Sequence, residues 1–231
     1  MAYCYRKTLK GTFISRPNRF IAEVLINGRT EICHVKNTGR CRELLVKGVT
    51  VILEESSNPD RKTKYDLIAV CKGKRLVNID SQVPNKCAAE VIPQLFEGVT
   101  LVKPEFKFGS SRIDFYIETN EKKILMEVKG VTLEDNGTVR FPDAPTERGV
   151  KHLKELSAAV GQGYEACVLF VVQLEGAEFF EPNRITHPEF ADALLQAEKS
   201  GVKVMVYGCR VTEDTICIDT SAEISRSNLC Y

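Results

Sequence analysis

The first 80 residues divide into short segments in which apolar and polar residues alternate, and this pattern limits the possible folds more than any other feature. Two of these segments, FIAEVLI and RTEICHV, flank Asn27-Gly28, a dipeptide that readily takes the positive φ angles of a hairpin turn. Further strands are predicted at TFIS, VTVILEE, YDLIAVC and RLVNI, with a helical turn near residues 42–45. Five strands with a helical turn between the third and the fourth predict an OB-type β-barrel, although small SH3-like barrels give similar patterns.

The pattern changes near residues 80–85, where polar residues and a proline precede KCAAEVIPQL, a helix that we expect Asn85 to cap. Beyond it, helices are predicted over residues 146–160 and 188–199, and strands at LVKPEFKF, RIDFYIE, KILMEVKGV, ACVLFVVQ, KVMVYGC and TICIDT. This succession predicts an α/β domain with a mixed sheet. We therefore expect two domains, residues 1–82 and residues 83–231.

Charge is distributed unevenly between these two parts. Residues 1–80 hold 16 Lys and Arg against 8 Asp and Glu, a charge of +8, whereas the remainder holds 16 against 23, a charge of −7. A basic domain is typical of a protein that binds a polyanion, although chance clustering of surface charge would give the same count. The candidate nucleic-acid contacts in or beside its turns are Arg16, Arg19, Arg40 and Arg42. The neighbouring aromatic residues, which we expect in the core, are Tyr5, Phe13 and Phe20.

Two adjacent predicted strands of the second part combine apolar residues with charge. Side chains of a strand alternate between its two faces, so Glu127 and Lys129 share one face of KILMEVKGV. In RIDFYIE the same alternation places Asp114 on the face opposite the core-facing residues Ile113, Phe115 and Ile117. The short turn TNEK makes the two strands a hairpin, which brings Asp114 close to Glu127. Two adjacent carboxylates repel each other unless a cation lies between them.

These carboxylates, a backbone carbonyl such as that of Val128, and a substrate phosphate are the oxygen ligands that Mg²⁺ or Mn²⁺ prefers. Lys129, on the side of Glu127, could orient a water molecule or offset charge on a phosphate in the transition state. The spacing alone is a weak signal, because Glu and Lys often alternate on a solvated strand face. The pattern therefore leaves two interpretations, a divalent metal site and an exposed strand.

The helix TERGVKHLKEL adds to the first interpretation. Arg148, His152 and Glu155 recur on one face of it, away from an apolar stripe formed by Val150, Leu153, Leu156 and Val160. A cationic face can hold a phosphate beside a metal, so Arg148 and His152 are candidate nucleic-acid contacts. A solvated charged surface explains the same pattern equally well.

Other classes of protein find little support. The chain contains no G-x-S-x-G, no P-loop, no G-x-G-x-x-G and no H-E-x-x-H, which disfavours serine hydrolases, P-loop enzymes and dinucleotide enzymes. The longest apolar run, Ala166 to Val172, is far shorter than the ~20 residues of a membrane span. The first residues lack the apolar segment of a secretory signal, so we expect a cytoplasmic protein.

The segments MEVKGVTLEDNGTVRFPDAPTERGVKHLKEL, FGSSRIDF, RFIAEV and NTGR resemble the sugar fermentation stimulation protein family, SfsA, and the resemblance covers nearly the whole chain. It implies an OB-like domain joined to a PD-(D/E)XK nuclease-like domain. It also implies nonspecific DNA binding and a regulatory part in sugar metabolism, notably of maltose genes. It places the nuclease motif at Asp114, Glu127 and Lys129, and a further acidic position at Glu90.

We therefore predict a protein that binds DNA, with RNA as the alternative, and hydrolyses phosphodiesters with Mg²⁺ or Mn²⁺. The basic domain would supply affinity and the acidic pocket the chemistry. A noncatalytic DNA-binding regulator that keeps a nuclease fold is the second hypothesis. A small-molecule or sugar-responsive module is the third, and only the family name favours it.

Overall fold

The structure is a computed structural model that describes residues 2–37 and 39–226. The helices are α1 (Val83–Leu95), α2 (Glu147–Val160) and α3 (Pro188–Lys199). The strands are β1 (Tyr3–Cys4), β2 (Thr8–Asn18), β3 (Ile21–Ile26), β4 (Arg29–Val35), β5 (Thr50–Glu55), β6 (Tyr65–Lys72), β7 (Arg75–Asn78), β8 (Val99–Phe108), β9 (Ser111–Thr119), β10 (Lys123–Val131), β11 (Leu133–Asp135), β12 (Thr138–Phe141), β13 (Glu165–Val172), β14 (Phe179–Pro182), β15 (Lys203–Val211), β16 (Thr215–Glu223) and β17 (Ser225–Arg226).

Strands β2 to β6 form a closed five-stranded barrel, which confirms the predicted OB-type fold. The β3–β4 hairpin turns at Asn27-Gly28 with φ angles of 49° and 79°, as a tight hairpin turn requires. Strand β2 pairs with β3 and β5, and the parallel pairing of β4 with β6 closes the barrel. Alternate residues of each strand point inward, so that Val24, Val51 and Leu67 are fully buried in the barrel core.

The second part is a mixed seven-stranded sheet in the order β1-β16-β15-β13-β10-β9-β8, which confirms the predicted α/β layout. Strands β10, β13 and β15 run parallel at its centre, and the flanking strands pair antiparallel. Helix α1 packs on one face of the sheet, while α2 and α3 cover the other. Residues of β13 alternate between these two cores and are almost all buried, as expected of a central strand between two helical layers.

The two faces of β10 lie under different helices. Ile124, Met126 and Val128 belong to the core under α1, whereas Leu125 belongs to the core under α2, the side on which Glu127 and Lys129 also project. The charged face of this strand is therefore covered by a helix instead of solvated.

The expected alternation of β9 fails at one point. Phe115 and Ile117 lie in the core under α1, but Ile113 lies in the other core, so the three do not share a face. The physical reason is on the neighbouring strand β8. There Glu105 has a φ of 52°. It lies between two residues that pair with β9, Pro104 with Phe115 and Phe106 with Ile113. A residue in this left-handed conformation interrupts the pleat, and Asp114 lies beside the interruption.

Three further differences concern short elements. Helix α1 begins at Val83, so Asn85 lies inside its first turn and does not cap it. Strand β1 pairs with β16, so residues 3 and 4 complete the sheet of the second part although the expected boundary lies at residue 82. A separate small sheet, β11-β12-β14-β17, was not predicted, because strands of two to four residues are too short to show a period.

Contacts between the barrel and the α/β part are polar as well as apolar. Gln173 at the end of β13 donates to the Asn78 side chain and to the Asp80 carbonyl, each at 3.0 Å. Glu134 on β11 binds Lys72 and Arg75 of the barrel, with N–O distances of 2.6 and 3.2 Å. Within the described residues no helix is long and apolar enough to cross a membrane.

Candidate functional site

Glu127 is the centre of a buried polar cluster on β10. Its side chain is 3% exposed, and its Oε1 atom accepts hydrogen bonds from Lys129 Nζ at 2.6 Å and from His152 Nδ1. Its Oε2 atom is buried and has no hydrogen-bond partner among the residues that the structure describes. A buried carboxylate oxygen without a donor is costly, so this atom is the natural ligand for a group that comes from outside the chain.

His152 reaches Glu127 from α2. The helix begins after Thr146, whose hydroxyl accepts a hydrogen bond from the Gly149 N–H at 3.1 Å and caps the helix. His152 is 3% exposed, so it lies neither on a surface that could contact nucleic acid nor on a solvated face, the two interpretations of the sequence. Its Nε2 lies 3.3 Å from Arg148 Nε. Since the guanidinium only donates, Nε2 accepts and Nδ1–H donates to Glu127. The structure thus makes His152 a support for Glu127 within the protein interior.

The pKa of Glu127 reflects these partners. Burial raises it, but the hydrogen bond from His152 and the charge and hydrogen bond of Lys129 outweigh burial, so the pKa lies below its ordinary value. Glu127 is therefore an anion at neutral pH.

Asp114 joins the cluster from β9, where the alternation of that strand breaks. Its Oδ2 accepts a hydrogen bond from the Val128 N–H and its Oδ1 accepts one from Asn85 Nδ2, each at 2.8 Å. Burial raises the pKa of Asp114 and the charge of Glu127 raises it further, while the two hydrogen bonds offset part of this rise. The hydrogen bond to Val128, the residue after Glu127, brings Asp114 to the part of β10 that carries Glu127, although Asp114 is tied to α1 and Glu127 to α2.

The two carboxylates thus carry opposite shifts, which is a common property of functional pairs. The residues present fit a divalent cation: Asp114 binds the backbone next to Glu127, the charge of Glu127 raises the pKa of Asp114, and no described residue donates to Oε2 of Glu127. In the described ranges, no group of three or more His, Cys, Asp or Glu is arranged to hold a metal. A cation bound to Asp114 and Glu127 would take further oxygens from the Val128 carbonyl, from water and from a substrate.

The remaining predicted residues of this part lie at the surface. Arg148 is exposed, and its guanidinium contacts the buried His152. Glu90 is exposed on α1, five residues after Asn85. At about 100° per residue the two lie on different faces of the helix. The residue of α1 that meets the carboxylates is therefore Asn85, which sequence reasoning had assigned to a cap.

Arg16 has an internal role in the barrel. Its guanidinium donates to four backbone carbonyls within 2.6–2.9 Å, those of Arg19, Asn37, Gly39 and Arg40. The Arg16 side chain therefore fixes two loops together, and its donors point into the protein. Thr38, between Asn37 and Gly39, lies outside the described residues.

Arg19, Arg40 and Arg42 are exposed, as candidate contacts for a polyanion must be. Tyr5 and Phe13 are buried, as expected, but Phe20 is 45% exposed and the Arg19 guanidinium lies 4.9 Å from its ring centroid. The expectation that Phe20 belongs to the core is wrong, because the residue lies just before β3 and escapes the inward alternation of that strand. The position of Phe20 next to a turn was the only feature of the sequence that could have indicated its exposure.

A closed OB barrel followed by a mixed α/β domain defines the class of this protein. Two family models match the chain: SfsA N-terminal OB domain over residues 14–79, and Sugar fermentation stimulation protein RE domain over residues 82–215. The chain belongs to the sugar fermentation stimulation protein family, SfsA.

Similar proteins agree with this assignment. A sugar fermentation stimulation protein homolog of Desulfitobacterium hafniense strain Y51 is 58% identical over 92% of this chain and 93% of its own length. A homolog from Clostridium beijerinckii is 56% identical over 93% and 96%. The structure of Pyrococcus furiosus SfsA in complex with Ca²⁺ matches with a TM-score of 0.86 and 27% identity, covering 97% of this chain and 98% of that one.

Proposed function

We propose that this protein binds nucleic acid and hydrolyses phosphodiester bonds with Mg²⁺ or Mn²⁺ at Asp114 and Glu127. One observation carries the proposal: a buried carboxylate is held through one oxygen by His152 and Lys129, while its other oxygen has no donor among the described residues and Asp114 binds the N–H of the next residue, Val128. Proteins commonly orient a metal-binding carboxylate by hydrogen bonds to one of its oxygens, which leaves the other oxygen available to the metal.

The cation, when bound, would lower the pKa of a water molecule and stabilise negative charge on the phosphate. The residues of the chain have separate tasks. Asp114 and Glu127 would bind the cation, and the Val128 carbonyl would supply a further oxygen ligand. Asn85 and the Val128 N–H orient Asp114, and His152 orients Glu127. Lys129, 15% exposed, lies at the edge of the cluster, where its amine can reach a water or a phosphate oxygen.

Two further observations support the proposal. The structure of the Pyrococcus furiosus relative contains Ca²⁺, an ion that prefers the same oxygen ligands. The basic residues 1–80 offer affinity for a polyanion, with exposed Arg19, Arg40 and Arg42 on the barrel and exposed Arg148 on α2.

A noncatalytic DNA-binding regulator remains the second candidate, and one contact favours it. Lys129 Nζ lies 2.6 Å from Glu127 Oε1, so the amine is already engaged by the carboxylate that it would have to leave to activate water. The relatives are named for stimulation of sugar fermentation, which fits a regulatory role.

The test is incubation of the purified protein with labelled single- and double-stranded DNA and RNA, with Mn²⁺, Mg²⁺ or EDTA. We expect cleavage with Mn²⁺, and Asp114→Asn should lower its rate by about 100-fold or more, because bound cations supply several kcal/mol of transition-state stabilisation. Asp192→Asn, which changes an exposed aspartate paired with Arg184, is the matched control and should cleave normally.

The two candidates give different results in this assay. Retention of nucleic acid without cleavage under any divalent ion would support the regulator. Unchanged cleavage by the Asp114→Asn protein would show that the reaction takes place elsewhere.

A further inference from the structure

Phe20 stands out among the aromatic residues of the barrel. Tyr5 and Phe13 are almost fully buried, whereas Phe20 is 45% exposed. An exposed apolar residue is common by itself, but the Arg19 guanidinium lies over this ring, 4.9 Å from its centroid. A flat ring with a cation against it offers both parts of a nucleotide contact, a surface for a base and a charge for a phosphate.

The ring is held in place by the backbone around it. The Phe20 carbonyl accepts a hydrogen bond from the Val35 N–H at 2.8 Å, which fixes this residue to the end of β4. Arg16 then donates to the carbonyls of Arg19, Gly39 and Arg40. Phe20 and the exposed Arg40 therefore lie on one rim of the barrel, in loops tied together by a single guanidinium. A platform that is already ordered loses little entropy when a ligand binds.

The loop that carries Arg40 faces the α/β part across a cavity. A cavity of about 160 Å³ lies between the barrel and the α/β part, lined on the barrel side by Asn37 and Gly39 and on the other side by Gly130 and Thr132. Gly130 follows Lys129 directly on β10. Gly39, next to Arg40, thus lies across a cleft from the end of β10, the strand that also carries Glu127 and Lys129.

We propose that Phe20 is a stacking platform for an unpaired base of a single-stranded nucleic acid, whose backbone runs past Arg40 toward Asp114 and Glu127. The inference rests on the proposed function and adds to it the substrate class. Arg19 lies against one face of the ring, and the base takes the other. Bases inside a duplex have both faces covered by their neighbours, so a stacking platform selects unpaired nucleotides.

Charge distinguishes this ring from an equally exposed one. Phe179 on β14 is also 45% exposed, but its surroundings include Glu178 and Glu181. Phe20 lies next to Arg19 in the basic part of the chain. A polyanion therefore fits the surface at Phe20 better than the surface at Phe179, where Glu181 is paired with Arg140. This difference makes Phe179 a matched control for every substitution at Phe20.

The first experiment measures binding by fluorescence anisotropy in EDTA, with labelled oligothymidylate, oligouridylate and a DNA duplex of equal length. Phe20→Leu should raise the Kd for single strands about tenfold, because the base loses the aromatic ring on which it stacks. The Kd for the duplex should change little, and Phe20→Tyr, which keeps the ring, should bind single strands like wild type. Phe179→Leu should leave every Kd unchanged. The two single-stranded probes show whether DNA or RNA is preferred.

The second experiment uses the absence of tryptophan from the chain. Phe20→Trp introduces the only indole, and oligothymidylate should quench its fluorescence because a base stacks on it. Phe179→Trp should not respond.

Equal Kd values for wild type and Phe20→Leu on single strands, or equal losses on single strands and duplex, would overturn the stacking site. Either result would leave the metal-dependent reaction standing, since that depends on Asp114. Failure of the wild-type protein to bind any probe would instead reject nucleic acid as the substrate, and both proposals with it.

Discussion

His152 shows how a single buried residue can set the geometry of a site. Its Nδ1–H donates to Glu127 Oε1, and Arg148 keeps Nε2 as an acceptor. Replacing it by leucine leaves Glu127 held only by Lys129, so the carboxylate can turn away from the cation. We expect His152→Leu to weaken Ca²⁺ or Mn²⁺ binding about tenfold or more, as lost supports of metal ligands typically do. Isothermal titration with the cation alone measures this without any turnover.

Two variants separate orientation of Glu127 from general loosening of the fold. His152→Asn keeps an N–H donor near the position of Nδ1 and should retain most of the affinity. His187→Asn alters another buried histidine, which accepts from the Thr146 N–H at 3.3 Å, and should leave cation binding unchanged. Equal losses in the His152→Leu and His187→Asn proteins would mean that His152 has no specific role.

At this scale the sequence identified the acids but not their surroundings. Period two and the family motif were enough to select Asp114, Glu127 and Lys129. Helical spacing grouped His152 with Arg148. It could not show that α2 packs on the sheet so that His152 is buried against β10 while Arg148 stays exposed to solvent. Asn85 was misassigned for a related reason, since its partner Asp114 is 29 residues away in the chain.

Among the elements, long ones were predictable and short ones were not. Strands such as β10 and β13, of nine and eight residues, carry enough alternation or continuous apolarity to be recognised. Strands β11, β12, β14 and β17 exist because their partners are brought together by the rest of the fold. The break in β9 was also invisible, because it depends on the conformation of Glu105 on the next strand.

Gly130 marks a place where three elements meet closely. A Cβ atom there would lie 2.4 Å from Gln173 Oε1 and 2.9 Å from Pro84 Cγ of α1. Gln173 cannot easily move, since its amide binds Asn78 and the Asp80 carbonyl. We expect Gly130→Ala to lower the free energy of unfolding by about 1–3 kcal/mol, the usual cost of overpacking. Urea unfolding checks this, with Gly161→Ala as the control, where the nearest atom is at 3.5 Å. Equal stability of the two variants would show that Gln173 can give way.

At the scale of the whole molecule, the division of the sequence into a basic and an acidic part indicated two domains. It did not show which residues hold these domains together. The charges that join them are a small and specific set. Glu134 accepts from Lys72 Nζ at 2.6 Å, from Arg75 Nη1 at 3.2 Å and from the Gly137 N–H at 2.7 Å. Nothing local in the sequence distinguishes this glutamate from the others, because its two charged partners lie about 60 residues earlier, on β6 and β7.

The pH dependence of stability can report on this junction. Burial raises the pKa of Glu134, but the hydrogen bonds from Lys72 and Gly137 and the nearby positive charges outweigh it, so its pKa in the folded protein is lowered from 4.5. Because the pKa of Glu134 is lower in the folded protein than in the unfolded chain, its charge stabilises the fold at pH values above the unfolded-state pKa. This stabilisation is lost as the pH falls through the folded-state pKa. We expect Glu134→Gln to cost about 1 kcal/mol at neutral pH, a modest figure because solvent screens the partly exposed Lys72 and Arg75.

Urea unfolding from pH 7 down to pH 3 tests this expectation. The difference between wild type and Glu134→Gln should stay constant down to about pH 5 and shrink below it, since protonation then removes the charge from the wild-type side chain as well. Glu181→Gln breaks a pair with Arg140 inside the α/β part, at 3.0 Å and with both side chains about one-third exposed, and should cost less. A difference for Glu134→Gln that does not shrink by pH 3 would mean that shape, and not charge, joins the barrel to the α/β domain at this point.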